Sequence, residues 1–370
     1  MSMLPPTFQA FRRRLAENID GPLLTVALAI MAFGLASIYS ATVYASGRTV
    51  AQLLNLGAGL LAMWLVAQLP PQKLMRFAVP LYVVGVLLLL LVFPLGIKVN
   101  GARRWLSLGF TRIQPAEILK IAMPLMLAWY FHKHEAMLKI RHYVVAGLLL
   151  AVPFALIARQ PDLGSAILVG AAGFYVIFLA GLPWKIIFGM IAAGVAAAPF
   201  IWSMLYDFQR RRILTLIDPT TDPLGAGYHI IQSIIAIGAG GPFGRGWLQG
   251  TQTHLEFIPE RHTDFIFAVF SEERGLVGNS ILLILYLLLI ARGLMITAKA
   301  STLFSRVLAG SITLSFFTYA FVNMGMVSGI LPVVGVPLPF MSYGGTALVT
   351  LFLGIGILMS IRAHRMLVKQ

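Results

Sequence analysis

The sequence predicts an all-α polytopic membrane protein of about ten transmembrane helices, with a long extracytoplasmic loop between helices 7 and 8. Three observations predict it. Of 370 residues, 59% are hydrophobic and only 11% charged, and the mean hydropathy is +0.86; no soluble globule with an ordinary charged surface has that balance. Apolar runs close to the length of a bilayer span recur along the whole chain. Lys and Arg number 28 against 13 Asp and Glu, which in so apolar a chain points to the anchoring of cytoplasmic loops and away from nucleic acid. The absence of Cys excludes disulfides and thiolate metal sites.

The elements follow in order. The first apolar run, 22–40, comes after Arg12, Arg13 and Arg14 and has the outline of a secretory signal, but it is long enough to span and is read as an uncleaved first helix. Further spans are expected at 50–69, 74–96, 115–131, 142–159, 164–181, 184–203, 266–291, 303–328 and 340–361. The fourth is short and carries Glu117 and Lys120, so the parity of everything after it depends on that run. Charge supports it. With ten spans both ends are cytoplasmic and most loop Lys and Arg fall on that side, whereas dropping the fourth would export the basic residues near Arg362 and Lys369. The chain then reads as one transmembrane domain over 1–370. It has a cytoplasmic tail at 1–21, an extracytoplasmic segment at 204–265 and a cytoplasmic tail at 362–370.

The 204–265 segment departs from generic membrane packing. Asp218-Pro219 and Asp222-Pro223 mark turns. Tyr228 to Ile237 is apolar but too short to span, as an interfacial or re-entrant helix would be. Gly238 to Trp247 holds five glycines, which permit sharp turns or a close approach of the backbone to a ligand.

Charges at the membrane boundary need a reason, since each costs several kcal/mol at the bilayer centre unless paired or hydrated. Asp264 lies where the chain re-enters the membrane and reads equally as a cap of the eighth helix. Glu272 and Glu273, two turns further on, favour a hydrated polar cavity there. Glu117 and Lys120 share a helix face, where mutual neutralisation is the simpler reading. Asp162 suits the N-cap of the sixth helix better than a reactive role. Arg103, Arg104, Arg210, Arg211 and Arg212 fall on the same side as Asp264 and Asp162, where anchoring does not explain them. An anionic ligand such as a diphosphate does.

Five stretches carry a resemblance. They are Gln114 to Lys120, Gln160 to Gly164, Asp218 to Gln232, Glu256 to Phe267 and Gly329 to Gly345. Together, in that order, they resemble the shape, elongation, division and sporulation family, most closely its elongation branch. Several motifs of this length in one order are specific. Arg274 departs from the pattern, where an apolar residue is expected. The resemblance implies a multi-pass protein of the bacterial cytoplasmic membrane, its active site facing outward. It also implies a peptidoglycan glycosyltransferase that polymerises lipid II, the undecaprenyl diphosphate-linked disaccharide peptide, for wall elongation and rod shape, beside a class B penicillin-binding protein.

The chemistry this implies has two demanding steps. A carboxylate must take the proton of the acceptor hydroxyl as it attacks, with inversion, the anomeric carbon of the donor, and positive charge must stabilise the departing diphosphate. The resemblance assigns the base to Asp264, whose ordinary pKa near 3.9 makes a weak base unless its site raises it. Arg104 and Arg210 are expected at the diphosphate, Glu117 and Lys120 beside them, Asp162 in support, and Glu272 on location alone. A divalent cation, Mg or Mn, on the diphosphate fits without being required. The proline-rich Leu331 to Gly345 stretch is expected to be irregular backbone buried in protein or lining a cavity. Two readings from other classes stay open: a lipid II flippase, which needs access from both faces and no base, and a non-catalytic scaffold. Ion transport fits less well, because the carboxylates cluster near one surface.

Overall fold

Ten helices of 17 residues or more stand where the ten apolar runs predict them, in a computed structural model that describes residues 17–42, 46–99, 102–107, 109, 112–204, 210, 214–216, 218–219, 225–258 and 260–364. The basic residues 12–14, Arg211, Arg212, the Asp222-Pro223 turn and the last six residues lie outside the described residues. The spans are α1 (Gly21–Ala41), α2 (Ser46–Ala67), α3 (Pro71–Leu95), α4 (Pro115–Lys133), α5 (Ile140–Arg159), α6 (Leu163–Leu179), α7 (Trp184–Met204), α10 (Ile266–Ala298), α11 (Leu303–Val327) and α12 (Gly345–Ala363). Seven of them are long and apolar enough to cross a membrane by length and composition; α6 and the apolar part of α7 are shorter.

The core is built on α4, α11 and α12. α11 packs against α4, α6 and α10, α12 packs along α2, and α10 packs along α1. The hydrophobic windows of α11 and α12 are 72% and 67% buried, against 22% for α2 and α5, so the first two face protein and the last two face lipid. α7 is the extreme case, its apolar side chains exposed along nearly its full length. At one end of α1 the buried Asp20 caps the helix by accepting from the Leu23 amide at 2.9 Å and pairs with Arg292 of α10 at 2.7 Å and Arg362 of α12 at 2.9 Å. At the other end, the Ala41 carbonyl accepts from Arg261 Nε at 2.8 Å. Twenty-one residues at 1.5 Å each separate these ends by about 30 Å, the thickness of a bilayer core.

Two features escape hydropathy. Between α3 and α4 the chain forms a three-stranded antiparallel sheet, β1 (Ile97–Val99), β2 (Ala102–Ser107) and β3 (Arg112–Ile113), with Lys98 opposite Arg103 and Leu106 opposite Ile113. Successive residues of β2 point to opposite faces, so Arg103 is exposed while Arg104 is half-buried.

The second feature is the 225–258 region, which forms α8 (Ala226–Gly240) and the single turn α9 (Thr251–His254). α8 includes the short apolar run and packs against α10. α10 is interrupted at Gly275, whose φ of 63° and ψ of −162° leave the helical region. The glycine-rich loop fills that break. Arg245 and Gly246 amides donate to the Glu272 and Glu273 carbonyls at 2.9 and 3.1 Å, and the Leu276 and Val277 amides donate to the Gly241 and Pro242 carbonyls at 2.9 and 3.0 Å. Four backbone groups freed by the interruption are thereby satisfied, as burial among apolar helices demands. Gly244 must be glycine twice over, with φ of 85° and a position where a Cβ would lie 2.1 Å from the Glu273 carbonyl oxygen. Gly240 and Gly244 thus serve a close approach of backbone to a helix, where a Cβ would meet the Ser271 and Glu273 carbonyl oxygens.

Candidate active site

Five of the seven predicted site residues share one cavity of about 450 Å³, lined by Asp264, Arg104, Asp162, Glu117 and Lys120. Four elements bring them together. β2 presents Arg104, the first turns of α4 present Glu117 and Lys120, the residue before α6 is Asp162, and the short loop ahead of α10 holds Asp264.

Asp162 does cap α6, accepting from the Ser165 amide at 3.1 Å. Its second oxygen accepts from the Gln114 side-chain amide at 2.5 Å, and Arg104 Nη1 stands 3.7 Å from the first. Capping and site therefore coexist in one carboxylate. Glu117 and Lys120 are buried and paired at 2.5 Å, with the ammonium also 5.3 Å from the centre of the Tyr319 ring on α11. The pair consumes only half of the carboxylate. Glu117 Oε2 and Arg104 Nε are both buried and have no hydrogen-bond partner among the described residues.

Asp264 is the least partnered carboxylate here. None of the hydrogen bonds or ion pairs of the described residues involves its side chain, which faces the cavity, while its backbone is held through the carbonyl by Asn323. Burial, reinforced by the nearby charges of Glu260 and Asp162 and opposed by Arg104, pushes its carboxyl up to about 6. That is close to the working range of a general base.

Two predicted residues are not brought to the cavity. Arg210 turns back on the end of α7, donating to the Trp202 and Ser203 carbonyls at 3.1 and 2.7 Å. Glu272 is wholly buried and saturated. It accepts from Thr251 Oγ1, Thr253 Oγ1 and the amides of Gln252 and Thr253 at 2.8–3.2 Å, which caps α9. Glu273 accepts from Ser40 Oγ and from the Leu248 amide. The two carboxylates expected to mark a hydrated cavity instead stitch the 225–258 region to α10. Arg274, the departure from the family pattern, sits at the helix break beside Glu273 and does not line the cavity.

The structure adds His229 and Trp105 to the lining, which sequence reasoning did not single out, and Tyr319 behind Lys120, together with Tyr343 and the backbone of Val333 to Gly335 from the proline-rich stretch. The last of these confirms in part the expected place of the proline-rich stretch, which lines the cavity with irregular backbone. Gly335 has φ of 71°, and a Cβ there would lie 3.3 Å from Asp264 Oδ2.

Comparison with known proteins places this geometry. Residues 22–367 match the model of the FtsW, RodA and SpoVE family, described as cell cycle protein. The chain is 49% identical over 354 residues to the peptidoglycan glycosyltransferase MrdB of Escherichia coli K12, covering 95% of this chain and 96% of that one. It is 35% identical to the probable peptidoglycan glycosyltransferase FtsW of Geobacter metallireducens over 93% and 95% of the two chains. Among solved structures it superposes on a chain of a peptidoglycan synthase complex that coordinates polymerization and crosslinking, with a TM-score of 0.81, 34% identity and coverage of 93% and 97%. It also superposes on the rod shape determining protein RodA of Thermus thermophilus, with a TM-score of 0.71, 30% identity and coverage of 94% and 97%.

Proposed function

The chain belongs to the FtsW, RodA and SpoVE family of cell cycle proteins, and from that premise we propose how it works as a peptidoglycan glycosyltransferase, the activity named for its relatives. The substrate is lipid II, and the product is glycan strand for cell-wall elongation. Asp264 takes the proton from the acceptor sugar hydroxyl. The hydroxyl oxygen bonds to the anomeric carbon of the donor from the face opposite the diphosphate. The bond from that carbon to the diphosphate oxygen breaks, and the configuration inverts. The lipid diphosphate leaves with its negative charge against Arg104, which the cavity holds half-buried with its Nε unpartnered.

The observation that carries this reading is Asp264 itself, a carboxylate left without a side-chain partner, raised to about 6, in one cavity with a guanidinium. Lys120, tied to Glu117, shapes the field instead of gripping the ligand. Asp162 holds Arg104 and Gln114 in place. Arg210 and Glu272 drop out of the substrate site on the positions described above. A divalent cation is proposed as a companion of the diphosphate. Of the carboxylate oxygens that line the cavity, Glu117 Oε2, buried and without a hydrogen-bond partner among the described residues, is the one that would suit a hard ion. Among the described residues no three His, Asp or Glu gather to hold one by themselves, so such an ion would depend on the diphosphate for most of its ligands. A class B penicillin-binding protein is proposed as the partner that crosslinks the strands. The cytoplasmic membrane, with the cavity on its outer side, is the proposed location.

The test is polymerisation of purified lipid II by the purified protein, alone and with its cognate penicillin-binding protein carrying an inactivated transpeptidase. Wild type is compared with Asp264→Asn. Polymer from the wild type and a loss of roughly a hundredfold or more in the folded variant is the expected result. Movement of labelled lipid II across vesicles by both proteins, with polymer from neither, would replace the enzyme by a flippase.

A further inference from the structure

We propose that Asn323, in the last turns of α11, is a positioning residue for the transfer reaction: its single side-chain amide ties the Asp264 peptide to the irregular 333–343 segment that lines the cavity beside it. The inference rests on the reading of Asp264 as the base and deepens it.

The side chain of Asp264 has no hydrogen-bond partner among the described residues, so its aim depends on where its backbone is held. Beside the local turn, in which the Thr263 and Phe265 amides donate to the Glu260 carbonyl at 3.0 and 3.3 Å, three residues from α11 and the 333–343 segment hold that backbone. Asn323 Nδ2 donates to the Asp264 carbonyl at 2.8 Å and to the Val336 carbonyl at 2.7 Å. Ser342 Oγ donates to the Thr263 carbonyl at 2.7 Å and accepts from the Leu338 amide at 2.8 Å. The Tyr343 amide donates to the His262 carbonyl at 2.9 Å. Among the described residues only Asn323 hydrogen-bonds residue 264 itself.

The orientation of the amide is settled by what it meets. Two carbonyl oxygens face the same nitrogen, which offers two N–H groups, whereas a flipped amide would set oxygen against both. The Asn323 side chain is fully buried, and its Oδ1 has no hydrogen-bond partner among the described residues. A buried amide with half its capacity unused is a costly residue to keep in a helix interior if filling space were its only role. Its place on α11 is also informative. Tyr319, one turn earlier on the same face, carries Lys120, so one helix face supports both the base and the Lys120–Glu117 pair. Val336 is joined through Gly335 to the wall that lies against Asp264 Oδ2. Losing the clamp would free the carboxylate from that wall and admit water around it.

The experiment is a pH–rate profile of lipid II polymerisation for the purified full chain with its penicillin-binding partner. The proteins are wild type, Asn323→Ala, Ser342→Ala and Asp264→Asn, with folded protein quantified for each. The expected result for Asn323→Ala is kcat lower by tenfold or more and KM within about threefold. Its acid limb moves about one pH unit towards the ordinary carboxylate range. Ser342→Ala should move the limb the same way by less. A purely structural amide would lower the yield of folded protein and leave the limb where it is; folded variants with the wild-type limb overturn the proposal. Should Asn323→Ala not fold, Ser342→Ala decides alone by the same criterion. Retained polymerisation by Asp264→Asn would instead remove the base assignment, a result distinct from an unmoved limb in the clamp variants.

Discussion

Asp20 and Asp264 stand at opposite ends of the same helix bundle, each in reach of arginine, and they differ in how completely they are partnered. Asp20 is wholly buried, and burial alone would raise its carboxyl. The hydrogen bond from Arg292, the Leu23 amide and the charges of Arg362 and Arg292 outweigh that and hold it below the ordinary range. Asp264 has Arg104 nearby but no hydrogen bond to its side chain among the described residues, and burial prevails. Glu272, eight residues on, repeats the lesson within one segment: four donors saturate it, and it builds structure. In this molecule a carboxylate with its lone pairs filled is a fastener. One left bare is available for chemistry.

Mutations can break or sharpen that contrast. The largest effect is expected from Asp264→Asn, with polymerisation down roughly a hundredfold or more and thermal stability rising. The sign follows from linkage. A carboxyl raised from 3.8 to about 6 in the folded state contributes stability that is full below the unfolded pKa and lost as pH rises through 6. The amide removes a cost on the order of 2 kcal/mol at pH 7, and a melting comparison in detergent at pH 7 and pH 4 should show the gain only at the higher pH. Asp20→Ala should do the reverse. It strands two guanidinium groups that are only partly exposed and lowers stability by about 2–3 kcal/mol, while polymerisation per folded molecule, measured at saturating lipid II, stays within about twofold. A smaller effect is expected from Glu272→Gln, which leaves donors facing an NH₂ group. The loss of stability should be about 1–2 kcal/mol, and the pH dependence of the rate should not move. A shift of that limb would place Glu272 in the reaction after all.

How much of this could be read in the sequence follows the range of the interactions involved. The ten helices were legible because each rests on its own apolar run, and α4 survived its two charges because the charge balance of distant loops required it. The convergence of Glu117, Lys120, Asp162 and Asp264 was legible through ordered motifs, and that of Arg104 through a positive charge on the outer side that anchoring does not explain. The fates of Glu272 and Arg210 were not, because depth along a helix says nothing of which amides a loop 20 residues away will present. The β1–β3 sheet was hidden by strands of two to six residues, too short for periodicity to register. The glycine-rich loop was legible as a place of turns or close approach, but only the fold shows that the backbone it approaches belongs to the break at Gly275. The rise of the Asp264 carboxyl lay beyond reach for the same reason, since burial is a property of the whole packing.

The measurement that tests the central claim most directly is the single-turnover rate of lipid II polymerisation between pH 4.5 and 8, for wild type and Asp264→Asn with the partner present. The account predicts a wild-type rate that falls tenfold per pH unit below about 6, and a residual rate in the variant with no such limb. An identical limb in both proteins, or a wild-type rate flat through pH 6, would show that the proton leaves by another group and that Asp264 is not the base.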